Sequence, residues 1–127
     1  MRLLLDTQIY LWYLADSPKL SSAARQEIAD ADAVLVSAAS IWEAAIKIGI
    51  GRLRVAVAVP ELVAGIEASG FVELPVSARH AAAVAALALH HRDPFDRLLV
   101  AQALAEPARL LTADPMLKRY AELVELV

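Results

Sequence analysis

Five short apolar runs punctuate the chain, at residues 2–6, 34–37, 71–74, 109–112 and 124–127, and the stretches between them read mainly as helices. A run such as Leu3-Leu4-Leu5 has no polar alternate residue, so as a strand it must be covered on both faces. Strands of that kind, joined by helices, build a mostly parallel sheet with a helical layer on each side. The pattern therefore predicts an α/β domain with a four- or five-stranded sheet. With 127 residues there is room for one such domain, and residues 1–127 are read as that domain.

Local signals place the helices. Ile9, Trp12 and Tyr13 share a helical face after the first strand, and Pro18 interrupts before Ser21 or Ser22 caps a second helix to about residue 29. Ser40 is expected to open a helix to Ile48, with Gly49 and Gly51 as stops. Residues 53–59 alternate loosely and read as an extended arm or hairpin strand. Pro60 starts a short helix ending near Gly70. Ser77 caps an alanine-rich helix to about Leu89, Asp93-Pro94 starts another that Pro107 ends, and Asp114-Pro115 begins a last short one.

Composition narrows the class. No apolar stretch reaches the roughly 18 residues of a membrane span, and MRLLLDTQ is too short an apolar start for a secretory signal. A soluble cytoplasmic protein without membrane contact is expected. Cysteine is absent, which removes disulfides and thiolate metal sites. The formal net charge of −3 runs against the basic footprint of most nucleic-acid binders. Yet Lys47, Arg52 and Arg54 group together, as do His90, His91, Arg92 and Arg97, and cations gathered by aspartates would make a working face less negative.

The acidic residues carry the chemistry. Asp6 ends the first strand, Glu43 follows the second, Asp93 and Asp96 open the helix leading to the fourth, and Asp114 follows the fourth. In a parallel sheet these positions share the carboxyl edge, where ligands of open α/β sheets bind. Carboxylates brought together raise one another's pKa unless something positive compensates. Without cysteine, the compensation that suits oxygen donors is Mg²⁺ or Mn²⁺. Such a site suits phosphodiester hydrolysis, because the cation orients and acidifies water and neutralises the transition state.

Each acid also has a plainer reading. Ser40-Ile-Trp-Glu43 matches a capping box, and Glu43 could pair with Lys47 one turn on. Asp93 and Asp114 are good N-caps before proline, and Asp96 suits a helix dipole. Asp6 resists that treatment, since an acid directly after a buried strand is costly without a partner. His80 reads as structural or surface, and His90 and His91 as a loop contact to phosphate or to the aspartates. Trp12, Tyr13, Trp42 and Phe95 could stack on bases, but their spacing favours core or interface.

LLLDT, VSAASIWEAAIKIGIGRL, HHRDPFDRLLVAQA and LLTADPML together resemble the PIN-domain ribonucleases, in particular the VapC-like branch with a His-Arg-Asp-Pro-Phe-Asp-Arg box. The resemblance spans essentially the whole chain. It implies a PIN-like fold and a catalytic quartet of Asp6, Glu43, Asp96 and Asp114, with Asp6, Asp96 and Asp114 as metal ligands. Thr7 and Thr112 would orient carboxylates or water, and Asp93 would be a cap or outer group. It also implies Mg²⁺- or Mn²⁺-dependent endonucleolytic cleavage of RNA, a homodimer, and a small antitoxin in a groove near the site. Gln8 stands where relatives of this branch often carry histidine.

Lys47, Arg52, Arg54, Arg92 and Arg97 are the candidate RNA contacts, Arg97 alternatively pairing with a quartet acid. Trp12 and Tyr13, with Ile41, Ala45 and Ile48, are the candidate antitoxin surface. Two other readings compete. A non-catalytic binding module would keep the fold, though the intact quartet speaks against it. A receiver-type phosphoacceptor domain wants an acidic pair after its first strand and a lysine after its fifth, and the chain has neither.

Overall fold

A five-stranded sheet in the order β3-β2-β1-β4-β5, every pair parallel, forms the centre of the computed structural model, which describes all residues except Ala56 and His91. The chain runs β1 (Arg2–Leu5), α1 (Thr7–Leu14), α2 (Ser22–Asp30), β2 (Ala33–Ser37), α3 (Ala38–Gly49), α4 (Val59–Ala68) and β3 (Val72–Leu74). It continues through α5 (Ala78–Ala83), a 3₁₀ turn (Val84–Ala86), α6 (Pro94–Ala105), β4 (Arg109–Thr112), a second 3₁₀ turn (Leu117–Arg119) and β5 (Val124–Leu126). From β1 the chain builds outward to β2 and β3, then returns to place β4 on the other side of β1. That reversal makes a switch point between β1 and β4, where a crevice opens beyond the strand ends.

The consecutive leucines of β1 serve two layers. Leu3 and Leu5 join Ile9, Tyr10, Ile28, Val36, Ile66 and Leu111 on the side of α1, α2 and α4. Leu4 joins Leu35, Leu74, Leu99, Val100, Leu110 and Val124 on the side of α6. Leu4 and Leu5 are wholly buried, so truncating either costs roughly 2–5 kcal/mol. A third cluster, Leu11, Ala44 and Leu62, ties α1, α3 and α4 together.

Several expected boundaries shift. The cap of α3 is Ser37, whose hydroxyl accepts from Ala39 N, so the helix starts earlier than Ser40. The helix expected to reach Leu89 ends at Ala83 and tightens to 3₁₀ through Ala86, where Arg97 supplies donors to the Val84 and Leu87 carbonyls. The described residues within 53–58 form no strand, and the helix expected after Asp114 is only the 3₁₀ turn. Gly51 and Gly70 end their helices at φ +75° and +78°, where a Cβ would be strained. No helix among the described residues is long and apolar enough to cross a membrane.

Candidate active site

Beyond the ends of β1 and β4 lies a cleft of about 440 Å³ whose lining includes Asp6, Thr7, Glu43, Lys47, Arg52, Asp93, Asp96 and Asp114. Four elements deliver the acids, each for a local reason. Asp6 is the last residue before α1 and caps it, its Oδ1 accepting from Ile9 N at 2.9 Å. Asp93 caps α6 through Phe95 N and Asp96 N, at 2.8 and 3.2 Å, which sets Asp96 in the first turn. Asp114 follows β4 and accepts from Met116 N at 2.9 Å. Glu43 sits more than a turn inside α3. With Ser37 as the cap, the capping-box reading of Ser40 and Glu43 is overturned, and Glu43 is directed into the cleft instead.

Two threonines hold two of the carboxylates. Thr112 Oγ1 donates to Asp6 Oδ2 at 2.5 Å and accepts from Asp114 N at 3.0 Å, joining the ends of β1 and β4. Thr7 Oγ1 donates to Glu43 Oε1 at 2.7 Å and lies 2.9 Å from Ser40 Oγ. Glu43 Oε2 accepts from Lys47 Nζ at 2.5 Å. Asp6, Thr7, Ser40, Glu43 and Thr112 are all buried. Ser40 is the participant that sequence reasoning misplaced, because a serine three residues before a glutamate reads first as a helix cap.

The electrostatics of the cleft are poised for a cation. Burial pushes the Asp6 carboxyl up to about 6, with Glu43 and Asp114 adding to the rise and the bonds from Thr112 and Ile9 opposing it. Lys47 is raised above the usual lysine value, chiefly by its bond to Glu43 and further by Asp93 and Asp96. All the acidic donors are hard oxygens, the set that Mg²⁺ or Mn²⁺ prefers. Among the described residues no three acids or histidines already surround one point at ligating distance. The donors fit a hard divalent cation that keeps several of its waters.

The remaining candidates divide. Arg52 lines the cleft, and Arg54 lines an adjoining apolar groove. Arg92 is exposed and lines neither. Arg97 gives its guanidinium to the Val84 and Leu87 carbonyls and is not part of the cleft wall. His90 packs edge-to-face on Tyr120, ring centroids 5.0 Å apart, while His91 lies outside the described residues. His80 is buried, bonded to Ser77, Gln102 and Glu106. Trp12 lines the groove, but Tyr13 packs on Phe71, and Ile41 and Ile48 pack against the core. Trp42 is 61% exposed and meets Phe95 edge-on.

An all-parallel sheet with acids from its first and fourth strands converging at the switch point defines a class of small α/β domains built around an acidic cleft. Residues 3–123 match the PIN domain family, and the chain belongs to that family. It is 34% identical over 121 residues to Ribonuclease VapC22 of Mycobacterium tuberculosis (strain ATCC 25618 / H37Rv), covering 92% of this chain and 90% of that protein. The fold is similar to the crystal structure of VapBC2 from Rickettsia felis bound to a promoter DNA fragment, with a TM-score of 0.68 at 17% identity over 100% and 98% of the two chains. It is also similar to FitAcB from Neisseria gonorrhoeae, with a TM-score of 0.61 at 19% identity over 91% and 89%.

Proposed function

We propose that this chain is a metal-dependent endoribonuclease acting as the toxin of a toxin–antitoxin pair in the cytoplasm. The observation that carries the reading is the gathering of Asp6, Glu43, Asp93, Asp96 and Asp114 along one open cleft. Ribonuclease VapC22, similar along nearly its whole length, supports the reaction, and a toxin–antitoxin complex from Klebsiella pneumoniae of similar fold, with a TM-score of 0.61 at 17% identity over 88% and 86% of the two chains, supports the partner.

In this reading Asp6, Asp96 and Asp114 would hold Mg²⁺ or Mn²⁺, which would supply acidified water and positive charge for the departing phosphodiester oxygen. Glu43 completes the catalytic quartet. Thr112 and Thr7 fix the Asp6 and Glu43 carboxylates, so those groups need little reorganisation when substrate arrives. Asp93 sets the start of α6 and so the place of Asp96. Arg52 in the cleft wall, with Lys47, Arg54 and Arg92, takes the RNA phosphates; Arg97 is committed to the fold. The apolar groove of about 410 Å³ beside the cleft, lined by Leu11, Trp12, Leu53, Val55, Val57 and Leu62, receives the antitoxin. Trp42, Ile46 and Ile50, four residues apart and 61, 38 and 62% exposed, form the homodimer face.

Cleavage of a mixed RNA substrate with Mg²⁺, with Mn²⁺ and with a chelator tests the activity. The expected result is metal-dependent internal cleavage that Asp96→Asn lowers by more than the roughly 10–100-fold typical of losing an indirect metal partner. Cleavage that survives the chelator, or is equal in Asp96→Asn, would falsify the catalytic assignment. A purified protein that cuts no RNA would favour the non-catalytic binding module.

A further inference from the structure

Both carboxylate oxygens of Glu43 are occupied. Oε1 accepts from Thr7 and Oε2 from Lys47, and the Glu43 side chain is 6% exposed. Each oxygen keeps a spare lone pair, but the ammonium held on Oε2 opposes the approach of a second cation. A divalent cation acting at Glu43 therefore competes with its two donors. Thr7 cannot go far: it opens α1, is buried, and its hydroxyl bonds to Glu43 and Ser40. Lys47 can. Its ammonium stands on a flexible four-carbon stem, its side chain is 41% exposed, and it reaches Glu43 from the next turn of α3.

We propose that Lys47 is the built-in counter-ion of Glu43 in the metal-free protein, neutralising it until a divalent cation displaces the ammonium toward the cleft mouth. The inference rests on the metal-dependent reading above. Displacement conserves charge in a useful way. An ammonium leaving Glu43 enters the same cleft wall as Arg52, where the phosphate of a polyanion would next arrive. Asp93 and Asp96 also attract Lys47, so the displaced ammonium stays within the field of the cleft. Thr7, backed by Ser40, keeps Glu43 oriented throughout the exchange.

Two effects of opposite sign follow from removing the charge. Without a cation, Lys47→Gln leaves Glu43 buried with less compensation, and the melting temperature falls. With a cation, the competitor is gone, and Mn²⁺ binds roughly tenfold tighter, as expected when a unit positive charge leaves the neighbourhood of a divalent ion. Lys47→Arg keeps the charge and stays near wild type on both counts. Mn²⁺ binding read by the spin-resonance signal of the free ion, together with thermal melts of metal-free protein, measures each effect without any RNA.

A double-mutant cycle then tests whether Lys47 works through Glu43. In a Glu43→Gln background the Lys47→Gln gain in Mn²⁺ affinity should largely disappear, because the paired carboxylate is gone. If wild type and Lys47→Gln bind Mn²⁺ equally, the counter-ion proposal is overturned while the metal reading stands. The same gain with and without Glu43 overturns it too, since Lys47 then acts only as a diffuse charge. A wild-type protein that binds no Mn²⁺ overturns both readings together.

Discussion

Asp6 is the residue at which the cost of the site is concentrated. Its carboxyl is pushed up to about 6 by burial, against an ordinary value near 3.9. Below about pH 4 it is protonated in folded and unfolded chain alike and costs nothing. As pH rises from there, the unfolded chain ionises first, so the metal-free protein loses stability by up to about 1.4 kcal/mol per unit. The loss is complete above about pH 6 and amounts to roughly 2–3 kcal/mol. Asp6→Asn cannot ionise, so in denaturant titrations of metal-free protein the variant should gain on wild type by that amount from about pH 4 to pH 7. A wild-type-minus-variant difference that is flat with pH would show that the carboxyl is not strained. Saturating Mg²⁺ should reverse the ranking at neutral pH, because ligand-linked stabilisation requires the intact site. The burden on Asp6 was visible in its place after three leucines; that Thr112 answers it was not, since 106 residues separate the two.

Among the elements, α1 and α4 meet at a contact that depends on a missing side chain. Tyr10 is buried and donates to the Leu62 carbonyl at 2.6 Å, passing close to Gly65. A Cβ at Gly65 would stand 2.9 Å from Tyr10 Oη and 3.1–3.2 Å from the Leu14 methyls. Alanine would favour the helix by up to about 1 kcal/mol, but pushing a rigid, buried phenol costs about 1–3 kcal/mol. Gly65→Ala should therefore lower the melting temperature, and lower it less in a Tyr10→Phe background, where the crowded oxygen is gone. Equal effects in both backgrounds would locate the strain elsewhere. A second tie fastens α5 to α6. His80 Nδ1 faces the N–H of Ser77 and the Gln102 amide, so Nε2 carries the proton toward Glu106, which also receives Arg2 from β1. His80→Ala should cost about 2–4 kcal/mol in denaturant titration, through lost hydrogen bonds and a cavity, and leave RNA cleavage intact. Loss of cleavage in a folded variant would contradict this placement of His80 away from the cleft. In the sequence, that histidine was one polar residue among alanines, and nothing local told buried from exposed.

For the whole molecule, the exposed stripe of Trp42, Ile46 and Ile50 is the face through which the proposed homodimer would form. Apolar residues at a spacing of four normally face a core, yet here α3 turns Ala39, Ala44 and Glu43 inward, packs Ile41 and Ile48 against the core, and leaves Trp42, Ile46 and Ile50 outside. Sedimentation of the wild type should report a dimer, and Ile46→Glu with Ile50→Glu a monomer. The melting temperature of the isolated monomer should change little, because neither residue fills the core. Identical sedimentation of the two would remove this face from consideration.

The apolar runs and the caps at Ser21, Ser77 and Asp93 specified the order of strands and helices, because strand burial and capping act within a few residues. The acids at the strand ends specified which edge to search, since parallel strands share a direction. Only the tertiary structure decided which hydroxyl grips which carboxylate, that Glu43 belongs to the cleft and not to a cap, and that Arg97 serves the fold. Those outcomes depend on side chains distant in sequence competing for the same few donors and acceptors, and the competition is settled only when the sheet has brought them within hydrogen-bond distance.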